Sequence, residues 1–164
     1  MSIVYNEQLS LKCVYGSPFS ILDKIEENNI EIIEKSLKNI NEKILLCGHT
    51  HIQWHKKYKG KIILNPGSVG AGISVKKMAQ YSIIEIIKNE IKIEHKNIEY
   101  DFEKFKLHNN NDDGWNKIGI KSIEDGIDYP QKLLKELKTR TQEWPIPNKE
   151  WNNMIEEWSR KGII

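Results

Sequence analysis

His49 and His51 stand two residues apart in KILLCGHTHIQW, residues 43–54. Imidazole is the commonest side-chain ligand for zinc, manganese, iron and nickel. In extended chain, residues i and i+2 project to the same side, so both rings could reach one polar site. KILLC, Lys43 to Cys47, is a continuous apolar run too short for a helix and reads as a strand covered on both faces. The C-terminal end of such a strand is where open α/β sheets keep their ligands, and Gly48 lets the backbone turn sharply there. Two histidines at this spacing are equally read as hydrogen-bonded loop residues, so the flanking sequence must decide between the two.

The elements that would position the pair are legible on both sides of it. LSLKCVYGSP, Leu9 to Pro18, alternates Leu9, Leu11, Cys13 and Tyr15 before a Gly-Ser-Pro break, the pattern of a strand entering a loop. Ile30, Ile33, Leu37 and Ile40 recur at three- and four-residue steps and predict a helix from about Asn29 to Ile40. Strand, helix and buried strand in that order suggest a parallel βαβ unit. After His51, IQWHKKY and KIILNPG read as two strands joined by a Lys-Gly turn, which makes the basic run HKKYKGK a solvated hairpin tip. MAQYSIIEII and EIKIEHKNIEY read as another pair joined at Asn89, with Ile91, Ile93 and His95 on one face and Lys92, Glu94 and Lys96 on the other.

Beyond Tyr100 the pattern is helical. Asp101 to Leu107 predicts a short helix, Leu133, Leu134 and Leu137 a second, and Trp151, Met154, Ile155 and Trp158 a third, begun at Pro147 and Asn148. The polar loop HNNNDDG has Asn109, Asn111, Asp113 and Gly114 at calcium-loop offsets, but Ile120 stands where a bidentate Glu belongs, so a calcium site fails. Four of the five tryptophans follow residue 110, and covering the core is their expected role.

Composition narrows the class. At 164 residues, 38% hydrophobic and 29% charged, the chain can bury a real core and is too apolar to be disordered. Its 25 basic and 23 acidic residues are dispersed and sum to +2, which leaves no electrostatic footprint for nucleic acid. No run approaches the length of a membrane span, and Glu7 falls where a signal peptide is apolar. Cys13 and Cys47 lie in apolar strand-like runs and are expected to be free thiols. A cytoplasmic protein without nucleic-acid or membrane partners is the expectation.

KILLCGHTHIQW followed by KIILNPGSVG, Lys61 to Gly70, resembles the C-terminal signature of calcineurin-like metallophosphoesterases, in the small bacterial and archaeal phosphodiesterase subgroup. VYGSP, Val14 to Pro18, lies where that subgroup has a His-Gly-Ser-Pro stretch. The resemblance runs from about Leu9 to Tyr100. It implies an α/β fold: the C-terminal portion of a metallophosphoesterase αββα sandwich, a βαβ unit followed by antiparallel hairpins, with a helical C-terminal tail. The domain organisation expected is a phosphoesterase portion over 1–105 and a helical extension over 106–164. In the intact family two divalent ions (Mn, Fe, Zn or Ni) activate a hydroxide that hydrolyses a phosphoric ester. By that pattern His49 binds one metal and His51 the other, while Asn65, Pro66 and Gly67 form the tight loop beside them.

The same resemblance exposes what this sequence lacks. Three family segments, an Asp-x-His, a Gly-Asp-x-x-Asp and a Gly-Asn-His, precede the position of VYGSP, and none occurs in the fourteen residues before Tyr15. Tyr15 stands where the family has a metal-binding histidine, and a phenol of pKa near 10 ligates poorly unless ionised. Two imidazoles fall short of the four to six donors each ion needs. A full dinuclear site is therefore not expected in this chain, nor are catalytic residues. The expectation is an N-terminally truncated phosphoesterase, inactive alone, with an exposed sheet edge favouring self-association. The alternatives are an interaction module, or one half of a two-chain phosphodiesterase whose partner chain supplies the missing N-terminal half.

Overall fold

The computed structural model describes residues 2–6, 9–88, 90–109 and 114–164, with side chains from Ser10 onward. The expected joint at Asn89, most of the HNNNDDG loop and the N-terminal Glu7 lie outside the described residues. The described chain divides into two compact units, one of residues 1–74 and 78–98 and one of residues 75–77 and 99–164.

The first unit is built on a five-stranded sheet. Its strands are β1 (Ser2–Asn6), β2 (Leu9–Cys13), β3 (Ile44–Leu46), β4 (Gln53–Tyr58) and β5 (Lys61–Pro66), in the order β1-β2-β3-β5-β4. The strands β2 and β3 are parallel, with Leu11 opposite Ile44 and Cys13 opposite Leu46, and the crossover between them carries helix α1 (Ile30–Lys38). That is the βαβ unit read from the sequence. The β4–β5 pair is the antiparallel hairpin, turned at Lys59 and Gly60 with φ of 46° and 78°, the two positive values of a two-residue hairpin loop.

Alternation along the strands assigns the two faces. Leu45, Cys47, Trp54 and Ile63 pack on one side against Ile33, Leu37 and Ile40 of the helical segment. Ile44 and Ile62 pack on the other against Ile84 and Ile86 of β6 (Met78–Ile87) and Ile91 and Ile93 of β7 (Glu90–Glu99), which form a two-stranded sheet. The unit is thus helix on sheet on sheet. Asn29 caps α1 by accepting from the Ile32 amide at 3.3 Å, and Lys61 of β5 donates to the Leu37 and Ile40 carbonyls at its other end. Both ends of the helix are therefore fastened locally. The Cys47 thiol donates to the Leu64 carbonyl at 3.5 Å, and burial pushes its pKa up to about 12. Both cysteines are free, as expected.

The sheet edge lies one strand beyond β2: β1 pairs with β2 antiparallel, Ser2 opposite Lys12 and Val4 opposite Ser10, and is itself the edge strand. The β-branched run Ile3-Val4 supplied the signal.

The second unit holds α2 (Phe102–Asn109), α3 (Gly114–Asp125), α4 (Tyr129–Arg140) and α5 (Asn148–Arg160). The sequence pattern does not predict helix α3, because the Gly-containing polar stretch before it reads as loop. Ile118, Leu133, Leu137, Met154, Ile155 and Trp158 form its core, and the Trp158 indole donates to Glu136 at 3.0 Å. Trp158 covers the core as expected, whereas Trp144 is 71% exposed and does not. Arg140 ties α4 to α5 through Glu157, with Nη1 to Oε2 at 2.7 Å. Arg140 and then Lys161 hold the Glu157 carboxyl down to about 2. A carboxylate depressed in the folded state contributes stability above its unfolded pKa near 4.5, and that contribution is lost as pH falls from there towards 2. Urea unfolding followed by helical circular dichroism should accordingly show a smaller loss between pH 5 and pH 3 in Glu157→Gln than in the wild type. Equal losses would remove this ion pair from the account of acid stability. No helix among the described residues is long and apolar enough to cross a membrane.

Candidate functional site

The site is assembled where β2, β3 and β5 end. Chain leaving β3 passes through Cys47 and Gly48 into the histidine loop, and chain leaving β2 runs alongside it, with the Gly48 amide donating to the Tyr15 carbonyl at 2.9 Å. This backbone bond sets the VYGSP and GHTH segments side by side.

The extended backbone assumed for the pair is corrected. His49 and His51 have φ of 68° and 56°, so both occupy the left-handed region. For a non-glycine residue this costs roughly 1–2 kcal/mol each. Two such residues flanking one Thr are held there by the loop's surroundings, and strain of this kind concentrates at functional sites. The rings consequently engage different neighbours. His49 lies against Tyr15, with ring centroids 5.0 Å apart and planes tilted by 55°. His51 places Nδ1 3.1 Å from the Ala71 carbonyl oxygen. Because a carbonyl can only accept, Nδ1 is the donor here, which in the neutral ring leaves the lone pair on Nε2, the tautomer a metal-binding imidazole requires.

Asn65 is the post that holds this loop. Fully buried at the end of β5, its Nδ2 donates to the Gly48 carbonyl and to Thr50 Oγ1, both at 2.9 Å, while its Oδ1 accepts from the Gly67 amide at 3.0 Å. Both of its amide protons and one lone pair of its oxygen are used on the two motif loops. Gly67 takes φ of 81°, and a Cβ there would stand 2.8 Å from the Gln80 Cβ, so the NPG turn requires glycine. Gln80 of β6 joins the NPGSVG loop to the second sheet through its backbone amide, which donates to the Ser68 carbonyl at 3.0 Å, while its buried side chain donates to Asn97 Oδ1 at 2.8 Å and accepts from Ser74 at 3.0 Å. Gln80 and Asn97 were missed in the sequence. A Gln interrupting the MAQYSII run at an inward position was the available signal.

The aspartates serve structure. Ser17 Oγ donates to Asp23 Oδ2 at 2.5 Å, closing the loop after VYGSP. Asp101 and Asp128 accept from the Lys104 and Gln131 amides at helix starts, and Asp125 accepts from the Tyr129 hydroxyl. Asp112 and Asp113 lie outside the described residues.

A model of the calcineurin-like phosphoesterase superfamily domain matches residues 5–89, which is 85 of the 164. The chain belongs to the calcineurin-like phosphoesterase superfamily. The match contains β2, α1, β3 and both loops just described. A hypothetical protein from Pyrococcus horikoshii superposes on this phosphoesterase-family chain with a TM-score of 0.58 at 18% identity, covering 76% of this chain and 50% of its own. A metallophosphoesterase from Sphaerobacter thermophilus gives 0.52 at 20% identity, covering 63% and 50%. At such identities the likeness is one of fold. The chain spans about half the length of each of these two structures. No curated protein matches it.

The family's divalent ions meet an incomplete donor set. Among the described residues, no group of three or more His, Cys, Asp or Glu side chains could hold a metal ion. The described residues do not by themselves form a dinuclear centre, which needs about four donors for each ion.

Proposed function

We propose that this chain provides the His49 and His51 donors of a phosphoesterase centre whose acidic donors lie on polypeptide other than the segments described, and that alone it does not hydrolyse phosphate esters. The observation that carries this reading is the pair of left-handed histidines at the C-terminal end of β3, with the His51 tautomer fixed by Ala71. A second observation favours a polypeptide partner at the same rim. Tyr15, whose ring lies on His49, and Phe19, Ile21 and Leu22 further along the segment leaving β2 are 57, 44, 68 and 78% exposed, so four large apolar groups of that segment face solvent. A chain bearing the three missing segments, or another copy of this one, would cover them.

The purified chain, supplied with Mn²⁺ and bis(p-nitrophenyl) phosphate, is expected to show no turnover. Mixed with a chain carrying the Asp-x-His, Gly-Asp-x-x-Asp and Gly-Asn-His segments, it should acquire activity that His49→Ala and His51→Ala abolish and that Tyr15→His raises. Turnover by the unaccompanied chain would overturn the proposal. Complex formation with no turnover, and with the histidine variants binding as tightly as wild type, would identify an interaction module.

A further inference from the structure

A second pair of imidazoles lies outside the phosphoesterase motifs. His55 on β4 and His95 on β7 approach with Nδ1 of the first 2.9 Å from Nε2 of the second, ring centroids 4.9 Å apart. The other nitrogen of His95, Nδ1, is 2.8 Å from the Ser82 hydroxyl of β6. Sheet alternation explains the meeting. His95 continues the inward stripe of Ile91 and Ile93, Ser82 that of Ile84 and Ile86, and both stripes pack against Ile44 and Ile62 at their apolar end. Gln53, on the same face of β4 as His55, donates to the Tyr81 carbonyl at 2.8 Å and to the Lys96 carbonyl at 3.3 Å. The two sheets are therefore registered here by polar contacts.

We propose that His55 and His95 form a bidentate site for a borderline divalent cation of the zinc or nickel class, with Ser82 orienting His95 and water completing the coordination. Two nitrogens bound to one tetrahedral zinc at 2.0–2.1 Å stand about 3.3 Å apart, so the observed contact must open by roughly 0.4 Å, within the freedom of two side chains. One ring is exposed and the other half-buried, which leaves the cation a path from solvent. Ser82 accepting from His95 Nδ1 directs the Nε2 lone pair at the cation, the arrangement by which an outer partner fixes a ligand's tautomer. In the metal-free contact His55 Nδ1–H donates to His95 Nε2, and binding moves the His55 proton to its own Nε2, so that both facing nitrogens present lone pairs to the cation. The bound ion would clamp edge strand β4 to the two-stranded sheet, and binding to the folded state alone raises stability.

The test is a titration of the full chain with Zn²⁺, read by the ring nitrogen signals of each histidine in NMR and by calorimetry. His55 and His95 signals should shift together, and His55→Ala and His95→Gln should each weaken that binding event at least tenfold. Ser82→Ala, which leaves both ligands in place, should weaken it about tenfold, the lower end of the effect of removing an outer-sphere partner. The double variant His49→Ala/His51→Ala should retain it, which separates this site from the phosphoesterase loop. Zn²⁺ should raise the melting temperature of the wild type and not that of His55→Ala. Should His55→Ala fail to fold, the Ser82→Ala titration decides alone. Unmoved His55 and His95 signals, or wild-type affinity in the Ser82 and His55 variants, would overturn the proposal.

Discussion

Asn65→Ala is expected to lower unfolding stability by about 3 kcal/mol, because it leaves the Gly67 amide without its acceptor and removes one bond each from the Gly48 carbonyl and Thr50 Oγ1, which keep only the Thr50 and Ile52 amides. An unsatisfied buried polar group costs about 1–3 kcal/mol, and relaxation of the loop towards water recovers part of the sum. Volume is a minor contributor: Asn is small, and Ala removes little packing. Asn65→Asp separates the two effects. It preserves the shape but turns an acceptor towards the Gly48 carbonyl and buries a charge, so it should destabilise at least as much as Asn65→Ala. Urea unfolding gives the magnitude, and the histidine ring signals report the local consequence. With its post removed, the loop should leave the left-handed conformation, and the His51–Ala71 contact should be lost. A loss of stability below about 1 kcal/mol, with His51 unmoved, would show that the backbone holds the histidines without Asn65.

Gly16→Ala should be comparably damaging for a different reason. A Cβ at that position would lie 2.6 Å from the Ser20 carbonyl oxygen, 2.7 Å from that of Asp23 and 2.8 Å from that of Ile21. All three are backbone atoms, so no flexible side chain can swing aside. The loop that presents them is itself closed. Ser17 Oγ accepts from the Phe19 and Ser20 amides and donates to Asp23, and the Ser17 amide donates to Ser20. Overpacking of a rigid site costs about 1–3 kcal/mol or more, and this case belongs at the upper end. The displacement should reach the site, because the adjacent Tyr15 carbonyl receives the Gly48 amide and the Tyr15 ring lies on His49. Gly70→Ala is the matched control, since a Cβ there meets nothing within 4 Å. Chemical denaturation of both variants should separate them by about 3 kcal/mol, and equal stabilities would sink the argument.

The Gly16 and Asn65 cases differ in how far the sequence announced them. Gly16, in a Gly-Ser-Pro break, reads as a loop glycine, but its three carbonyl neighbours come from residues four to seven positions later in a loop of no regular period. Asn65 follows a run of three apolar residues, Ile62 to Leu64, and its burial follows from that pattern, yet the partners it bonds on the β3 exit loop follow only from the parallel pairing of β3 with β5.

Local periodicity determined much of the phosphoesterase portion. The three- and four-residue steps of Ile30, Ile33 and Leu37, the apolar run of Ile44 to Leu46 and the Lys-Gly turn each depend on neighbours close in sequence, and each forms where those neighbours dictate. The two motif segments likewise sufficed to assign the family. Tertiary structure decided the rest. Whether β2 would have an outer neighbour depended on a pairing with β1, and whether His49 and His51 would run extended depended on Tyr15, Ala71 and Asn65 pulling on the loop from three other segments. The contact of His55 with His95 joins residues forty positions apart on strands of different sheets, and no local pattern encodes it. Backbone propensity acts over a few residues, whereas ring orientation at a site is fixed by packing and hydrogen bonds from chain that is distant in sequence and close in space.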